Sequence, residues 1–202
     1  MDGKIPFKYI QIYCENRDET IALLKSANEY AGYIINSLET CVLCGHQVSS
    51  DYSVLVNMGC AKGLDSLDNL RELQRIWHTR EKEPVKRTVD TRYDVDRPFM
   101  GKSHRLVDIC NDFKLDVSQP ELKNLSMTKL QNEFYDKGDY SIYERIAVMN
   151  LRHSLSAIVL YWLNSQNNDE FNLIPIKINK TMQYNLLEDF DWIQSNTFNQ
   201  LL

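Results

Sequence analysis

The spacing of apolar residues along the chain predicts a mainly α fold. Over most of the sequence, apolar positions recur every three or four residues, the period at which one face of a helix packs against a core. The segments with this period are 18–43, 49–59, 65–82, 101–114, 127–137 and 182–193. The most apolar segment is 140–164, and its second half, 157–163, is apolar on every face. We therefore predict a helical bundle around a buried central helix at about 140–164, enclosed on all sides.

Two short segments have the β-branched and aromatic residues that are typical of strands. They are the N-terminal segment 7–13 and residues 173–178, where Pro175 suits an edge strand. We expect these two segments to pair as a small two-stranded β element beside the bundle. Gly45 is expected to end the helix at 18–43 as the residue just past its last turn.

The composition of the chain is that of a globular protein with enough apolar residues for a core. Hydrophobic residues make up 43% of the 202 positions and no low-complexity linker interrupts them, so residues 1–202 are predicted to form a single domain. The N-terminus lacks the pattern of a signal peptide, and the longest apolar run is far shorter than the roughly 20 residues that span a bilayer. Five cysteines in such a chain favour reduced thiols. We expect a cytoplasmic protein without membrane contact.

The sequence Cys-Val-Leu-Cys-Gly-His at 41–46 places two thiols three positions apart, directly before a glycine. In zinc knuckles such a turn directs both sulfurs at the ion, and glycine tolerates the backbone geometry required. The predicted zinc ligands are Cys41, Cys44, Cys60 and His46, with Cys14 or His78 as alternatives to His46. Two other interpretations stay open: the thiols are small buried hydrophobic groups, or they form a redox pair, which requires a helix N-terminus beside them.

Positive charge is concentrated between Arg71 and Arg105, although the whole chain has a formal charge of −5. This basic segment holds ten of the 23 basic residues together with six acidic ones, a local balance of +4. Such a segment is a candidate surface for an anionic partner, either nucleic acid or an acidic protein. The residues predicted to bind that partner are Arg80, Lys86, Arg87, Arg92 and Arg97. The alternative is a solvated surface on which the interspersed acids form salt bridges.

Arg71 and His78 lie seven positions apart and therefore share one face of the helix predicted at 65–82. An arginine and a histidine so placed could stabilise a pentavalent phosphate and move a proton, as metal-independent RNA cleavage requires. The pair resembles the Arg-x(4–6)-His signature of HEPN-type ribonucleases, although Glu72 stands where that family commonly has Asn, Asp or His. The resemblance implies a helical bundle that acts as a homodimer. Arg152 and His153, in the first half of the central helix, are further candidates for this chemistry.

These patterns favour an intracellular, non-enzymatic interaction or regulatory module. It would contact another protein or nucleic acid through the basic segment, and zinc, the one cofactor expected, would stabilise it. The alternative is the metal-independent HEPN-like ribonuclease, with the two Arg/His pairs as catalytic residues.

Overall fold

The computed structural model describes most of the chain. The described residues are 8–82, 87–95, 104–113, 115, 126–165, 178, 181–182 and 190–201. They form mostly α-helices with a small two-stranded sheet, which confirms the predicted mainly α class with a small β element. Residue contacts divide the chain into two compact units. We call Ile12–Asp94 the sheet unit, and Met1–Gln11 with Val95–Leu202 the long-helix unit. The single-domain prediction stays a prediction.

Three helices form most of the sheet unit. They are α1 (Thr20–Ser37), α2 (Val48–Ala61) and α3 (Asp68–Thr79). The Asn16 side chain accepts hydrogen bonds from the backbone N–H groups of Asp18 and Glu19, and so caps the short 3-10 turn that leads into α1. A second 3-10 turn, Arg80–Lys82, follows α3.

The core of the sheet unit lies where α1 and α2 pack against α3. Its buried residues are Leu24, Ala31, Tyr52, Leu67, Leu70, Leu73 and Trp77. In α3 these positions recur every three or four residues, the period from which the sequence predicts a helix. The Tyr52 and Trp77 rings meet edge to face with centroids 6.0 Å apart.

The sheet consists of two three-residue strands. β1 (Leu43–Gly45) runs parallel to β2 (Thr88–Asp90), with Cys44 opposite Val89. A Cβ atom on Gly45 would collide with the Val48 side chain, so glycine permits the close approach of β1 to the start of α2.

The two predicted strands are not those that form the sheet. Residues 8–13 are neither helix nor strand, while 173–177 lie outside the described residues and Ile178 is helical. One aromatic residue of the first segment packs instead of pairing: the Tyr9 ring meets the Phe190 ring edge to face, with centroids 5.6 Å apart. Strand propensity measures fit to a sheet surface, and here the neighbouring surface is a helical core.

The prediction that Gly45 ends the first helix is also wrong. α1 ends at Ser37, because the backbone N–H groups of Thr40 and Cys41 both donate to the Ser37 carbonyl and close a turn there. Gly45 is the last residue of β1.

The long-helix unit is built around one central helix. Its described helices are α4 (Leu106–Asp112), α5 (Met127–Lys137), α6 (Tyr140–Ser165) and α7 (Asn196–Leu201). Ser126 caps α5, which ends at Gly138 with a φ of 64°, the left-handed conformation that glycine adopts without a steric cost. The Asp139 side chain then accepts a hydrogen bond from the Ser141 backbone N–H at the start of α6.

The long helix α6 supplies much of the core of its unit. Buried residues along it include Ala147, Val148, Leu151, Leu155, Val159 and Leu160. Ile158 and Trp162 are nevertheless 44% and 43% exposed, so the expectation of a helix enclosed on all sides is wrong. A helix that is apolar on every face is therefore not always covered by other residues on every face.

By length and composition, α6 is the one described helix that could cross a membrane, with a mean hydropathy of 1.3 over 18 residues. Of that window, 56% is buried inside the protein, which is also how the core helix of a globular fold behaves. Of the helix predicted at 182–193, Met182 is helical and Asp191–Gln194 forms a 3-10 turn, while 183–189 lie outside the described residues.

Candidate binding site

The two cysteines of the CxxC sequence lie in different local structures. Cys41 follows the turn after α1 and is exposed, whereas Cys44 is half-buried in the middle of β1. Burial, together with the nearby carboxylates of Asp90 and Asp94, raises the pKa of the Cys44 thiol to about 12. Cys44 is therefore protonated at neutral pH, unlike the low-pKa thiols of redox pairs.

The other two predicted zinc ligands have contacts of their own. His46 Nδ1 lies 3.0 Å from the Thr91 hydroxyl, and the Cys60 sulfur, at the end of α2, lies 3.9 Å from the Arg71 guanidinium. Within the described part of the chain, no three His, Cys, Asp or Glu side chains are grouped so that they could hold a metal ion. Zinc stays a prediction without a ligand set among these residues.

The first predicted catalytic pair does not converge within α3. The Arg71 guanidinium is held at the N-terminal end of the helix, where Nη1 donates to the Asp65 carbonyl at 2.8 Å and lies 3.6 Å from Asp68. His78 is exposed in the last turn, a rise of about 10 Å further along the axis. Since the arginine side chain extends away from His78, one phosphate group could not contact both side chains in this conformation.

The second pair, Arg152 and His153, lies on α6 in the long-helix unit, whereas the first pair belongs to the sheet unit. Arg152 is 1% exposed and His153 is half-buried. The Ser156 hydroxyl donates to the Arg152 carbonyl at 2.7 Å, one turn along the helix. Arg152 is therefore a buried residue of the α6 core and does not offer its charge to solvent.

Several arginines of the basic segment are engaged within the protein. Arg80 forms an ion pair of 3.2 Å with Asp94, and the two side chains are only 12% and 14% exposed. The Arg92 guanidinium donates to Gln47 Oε1 at 2.9 Å and lies over the Tyr93 ring. Lys86 and Arg97 lie outside the described residues. On the solvent side, Arg75 pairs with Glu72, as the alternative interpretation of a salt-bridged surface expects.

Asp90, which sequence analysis did not single out, holds the connection after β2. It is completely buried, and its Oδ1 accepts hydrogen bonds from the backbone N–H groups of Gln47 at 2.9 Å and Arg92 at 3.0 Å. Its own N–H donates to Asp94 Oδ2 at 2.8 Å. Gln47 has a φ of 59° immediately before α2, so Asp90 satisfies the N–H of a residue in a strained conformation. Its second oxygen, Oδ2, has no hydrogen-bond partner among the described residues.

A groove lies beside the C-terminal half of α1, where the chain turns into β1. Its volume is about 220 Å³, and it is lined by Tyr30, Tyr33, Ile34, Ser37, Leu38, Cys41, Val42 and Leu43. Tyr33 is 62% exposed and Val42 is 41% exposed, so apolar surface is open to solvent on both walls. Small-molecule sites usually enclose roughly 300–1,000 Å³, which makes this groove large enough for a side chain and small for a cofactor.

Arg87 is hydrogen-bonded to two of the residues that line this groove. Its backbone carbonyl accepts a hydrogen bond from the Leu43 N–H at 2.7 Å, and its Nη1 donates to the Leu38 carbonyl at 2.5 Å. Leu38 caps the C-terminal end of α1, where the helix dipole favours a cation. An arginine has five N–H donors, and the others on Arg87 have no hydrogen-bond or ion-pair partner among the described residues.

Of the predicted site residues, Cys41 lines the groove, and Arg87 is hydrogen-bonded to Leu38 and Leu43, which also line it. Sequence analysis missed Tyr30 and Tyr33, although a signal was present: with Ser37 they follow the i, i+3, i+7 spacing on the side of α1 away from its buried stripe.

Comparisons with protein-family models, with curated proteins and with solved structures returned no match for this chain.

Proposed function

We propose that this protein is a non-enzymatic interaction module that contacts an anionic partner through the sheet unit. The observation that carries the proposal is the state of Arg87, which is held by one N–H on the Leu38 carbonyl and keeps further donors for an anion. A guanidinium pairs with a carboxylate through two parallel hydrogen bonds. Because Arg87 is already oriented, its side chain loses less conformational entropy on binding than a free surface arginine would.

Contacts of the other arginines support a narrow site centred on Arg87. Arg80 is neutralised by Asp94, and Arg92 is held against Gln47. The positive balance of the basic segment is therefore partly used to stabilise the fold, and less of it is available to a partner than the sequence count implies.

The sheet unit favours an isolated carboxylate of a partner protein over a nucleic acid. Ile12–Asp94 contains ten basic and thirteen acidic residues, a formal charge of −3. Nucleic acids are bound by several cations acting together, whereas a single oriented guanidinium suits an isolated carboxylate. An intracellular setting is part of the proposal, and it is supported by five cysteines that form no disulfide.

The proposal is tested with two short fluorescein-labelled peptides of Gly and Ser, one with a single Glu residue and one with Gln in its place. Fluorescence anisotropy at low salt should show that the 202-residue chain binds the Glu peptide about tenfold more tightly than the Gln peptide, or better, as expected for a charged hydrogen bond. Added salt should reduce the difference. Arg87→Glu should abolish it, while Arg87→Lys, which keeps the charge, should retain part of it.

Arg75→Glu is the matched control, because Arg75 belongs to the same basic segment but pairs with Glu72 on the exposed side of α3. It should leave the preference for the Glu peptide unchanged. Circular dichroism establishes that each variant is folded. If wild type binds the Glu and Gln peptides equally, or if Arg87→Glu and Arg75→Glu behave alike, the proposed function is rejected.

A further inference from the structure

The groove beside Arg87 combines an apolar surface with one oriented cation. Ile34, Leu38 and Leu43 line the groove, and Ile34 and Leu43 also pack against the core of the sheet unit with part of their surface. Tyr33 stands at the wall and is 62% exposed. The guanidinium of Arg87 is bonded to the carbonyl of one of these lining residues, Leu38, so charge and apolar surface are within reach of a single short ligand.

The surroundings of the groove restrict the ligands that can occupy it. A volume of about 220 Å³ is too small to enclose most cofactors but accepts one large side chain. Glu39 directly follows Leu38 and is exposed, so a ligand with many negative charges would be repelled next to the one cation that attracts it. A ligand with one carboxylate beside one apolar group fits both restrictions.

On the basis of the proposed function, we infer that the groove is a docking site for a segment of a partner protein that carries one carboxylate beside one large apolar side chain. One aromatic or large aliphatic side chain of that segment packs between Tyr33 and Val42, and a neighbouring carboxylate pairs with Arg87. Tyr30 and Tyr33, whose ring centroids are 6.4 Å apart, form the aromatic wall. Apolar anchors of this kind supply most of the affinity at protein interfaces, and the charge fixes their orientation.

The rate at which Cys41 is alkylated measures whether the groove is occupied. Its thiol lines the groove and is exposed, so a bound peptide should shield it from alkylation. Cys60 is exposed at the end of α2 and does not line the groove, so its alkylation rate serves as the internal control. Mass spectrometry after a short treatment with iodoacetamide reports both sites in the same sample.

The probe is the single-Glu peptide with one Phe inserted beside the Glu, and its counterpart has Ala in place of the Phe. The Phe peptide should bind about tenfold more tightly or better, because most of an aromatic ring leaves water. At saturation it should slow alkylation of Cys41 severalfold and leave Cys60 unchanged. Tyr33→Ala should remove the advantage of Phe over Ala. Tyr140→Ala, which truncates an equally exposed tyrosine of the long-helix unit, should not.

The outcomes separate this inference from the proposed function. If the Glu peptide binds through Arg87 but Phe adds no affinity, or if Cys41 is not protected, the docking site is wrong and the proposed function survives. If binding does not depend on Arg87 at all, both are wrong. A short oligothymidine that binds more tightly than the Phe peptide, and that requires both Arg87 and Tyr33, would assign the groove to nucleic acid and overturn the inference.

Discussion

The two oxygens of the Asp90 carboxylate have different surroundings, and this difference predicts how two substitutions should behave. Oδ1 accepts hydrogen bonds from the backbone N–H groups of Gln47 and Arg92, while Oδ2 is buried and has no hydrogen-bond partner among the described residues. Asp90→Asn can keep an oxygen at the Oδ1 position and places its amide nitrogen at Oδ2, so it retains both hydrogen bonds. Asp90→Ala removes the acceptor from both N–H groups.

The expected cost is set by these contacts. A buried donor left without an acceptor costs about 1–3 kcal/mol. Gln47 and Arg92 are only half-buried, so water can partly replace the lost acceptor and the lower part of that range applies to each. Asp90→Ala should therefore reduce the free energy of unfolding by about 2–3 kcal/mol. Asp90→Asn should change it by less than about 1 kcal/mol, because the cost of its buried amide N–H groups, which have no acceptor at the Oδ2 position, is offset by the removal of a buried charge.

Urea unfolding followed by tryptophan fluorescence measures the difference. Trp77 lies in the core of the sheet unit, so Trp162→Phe and Trp192→Phe are introduced into all the proteins compared, which leaves it as the only tryptophan. With a urea m value of about 2 kcal/mol/M, the Ala variant should unfold at a concentration lower by about 1 M. Equal destabilisation by Asn and Ala would refute the reasoning, since it would mean that the negative charge or Oδ2, and not Oδ1, stabilises the sheet.

Two further predictions concern groups beside the same strands. Arg80→Met or Asp94→Asn alone leaves a nearly buried charge without its partner and should reduce the free energy of unfolding by about 3 kcal/mol. The double variant should lose less than the sum of the two single variants. Additive losses in this double-mutant cycle would contradict a direct ion pair. Because its surroundings raise the pKa of Cys44 from 9.0 to about 12, the free energy of unfolding should fall as pH rises from about 9 toward 12, since only the unfolded chain ionises this thiol. Cys44→Ala should make that fall shallower by up to about 1.4 kcal/mol per pH unit, and an unchanged slope in urea titrations across this range would argue against the shift.

The helices could be predicted from the sequence because the signals that define them are local. The period of apolar positions predicts a helix at 127–137, and α5 has the same bounds. Ser126 before this helix and Gly138 after it are residues whose side chain or conformational freedom ends a helix without help from the rest of the fold. Such positions contribute the same interactions in any globular context.

The sheet could not be predicted in the same way, because its strands are short and their partners are distant. Three residues show no alternating pattern, and β1 pairs in parallel with a strand more than 40 positions along the chain. The two strands are aligned by a set of polar contacts at their carboxyl ends: the Thr91 N–H and hydroxyl both bond to the Gly45 carbonyl, and Asp90 bonds to the N–H of Gln47. These contacts exist only after α2 and α3 have brought the strands together.

The candidate site also depends on contacts between residues that are distant in the sequence. For this reason, a count of charges in the sequence overestimates the positive charge that is available to a partner. Arg80 and Arg87 count equally in the charge of the basic segment. Arg80, however, pairs with Asp94 below the surface, whereas Arg87 is held by the Leu38 carbonyl and keeps further N–H donors. Their difference arises from the Asp94 carboxylate: the Arg80 guanidinium contacts it as well as the Trp77 carbonyl, whereas the Arg87 guanidinium contacts the carbonyl at the end of α1. A carbonyl orients a guanidinium and leaves its charge in place, whereas a carboxylate orients it and also neutralises its charge. The proposed attraction of an anion therefore depends on how many arginines are held by carbonyls without a carboxylate beside them, and that number is set by the fold.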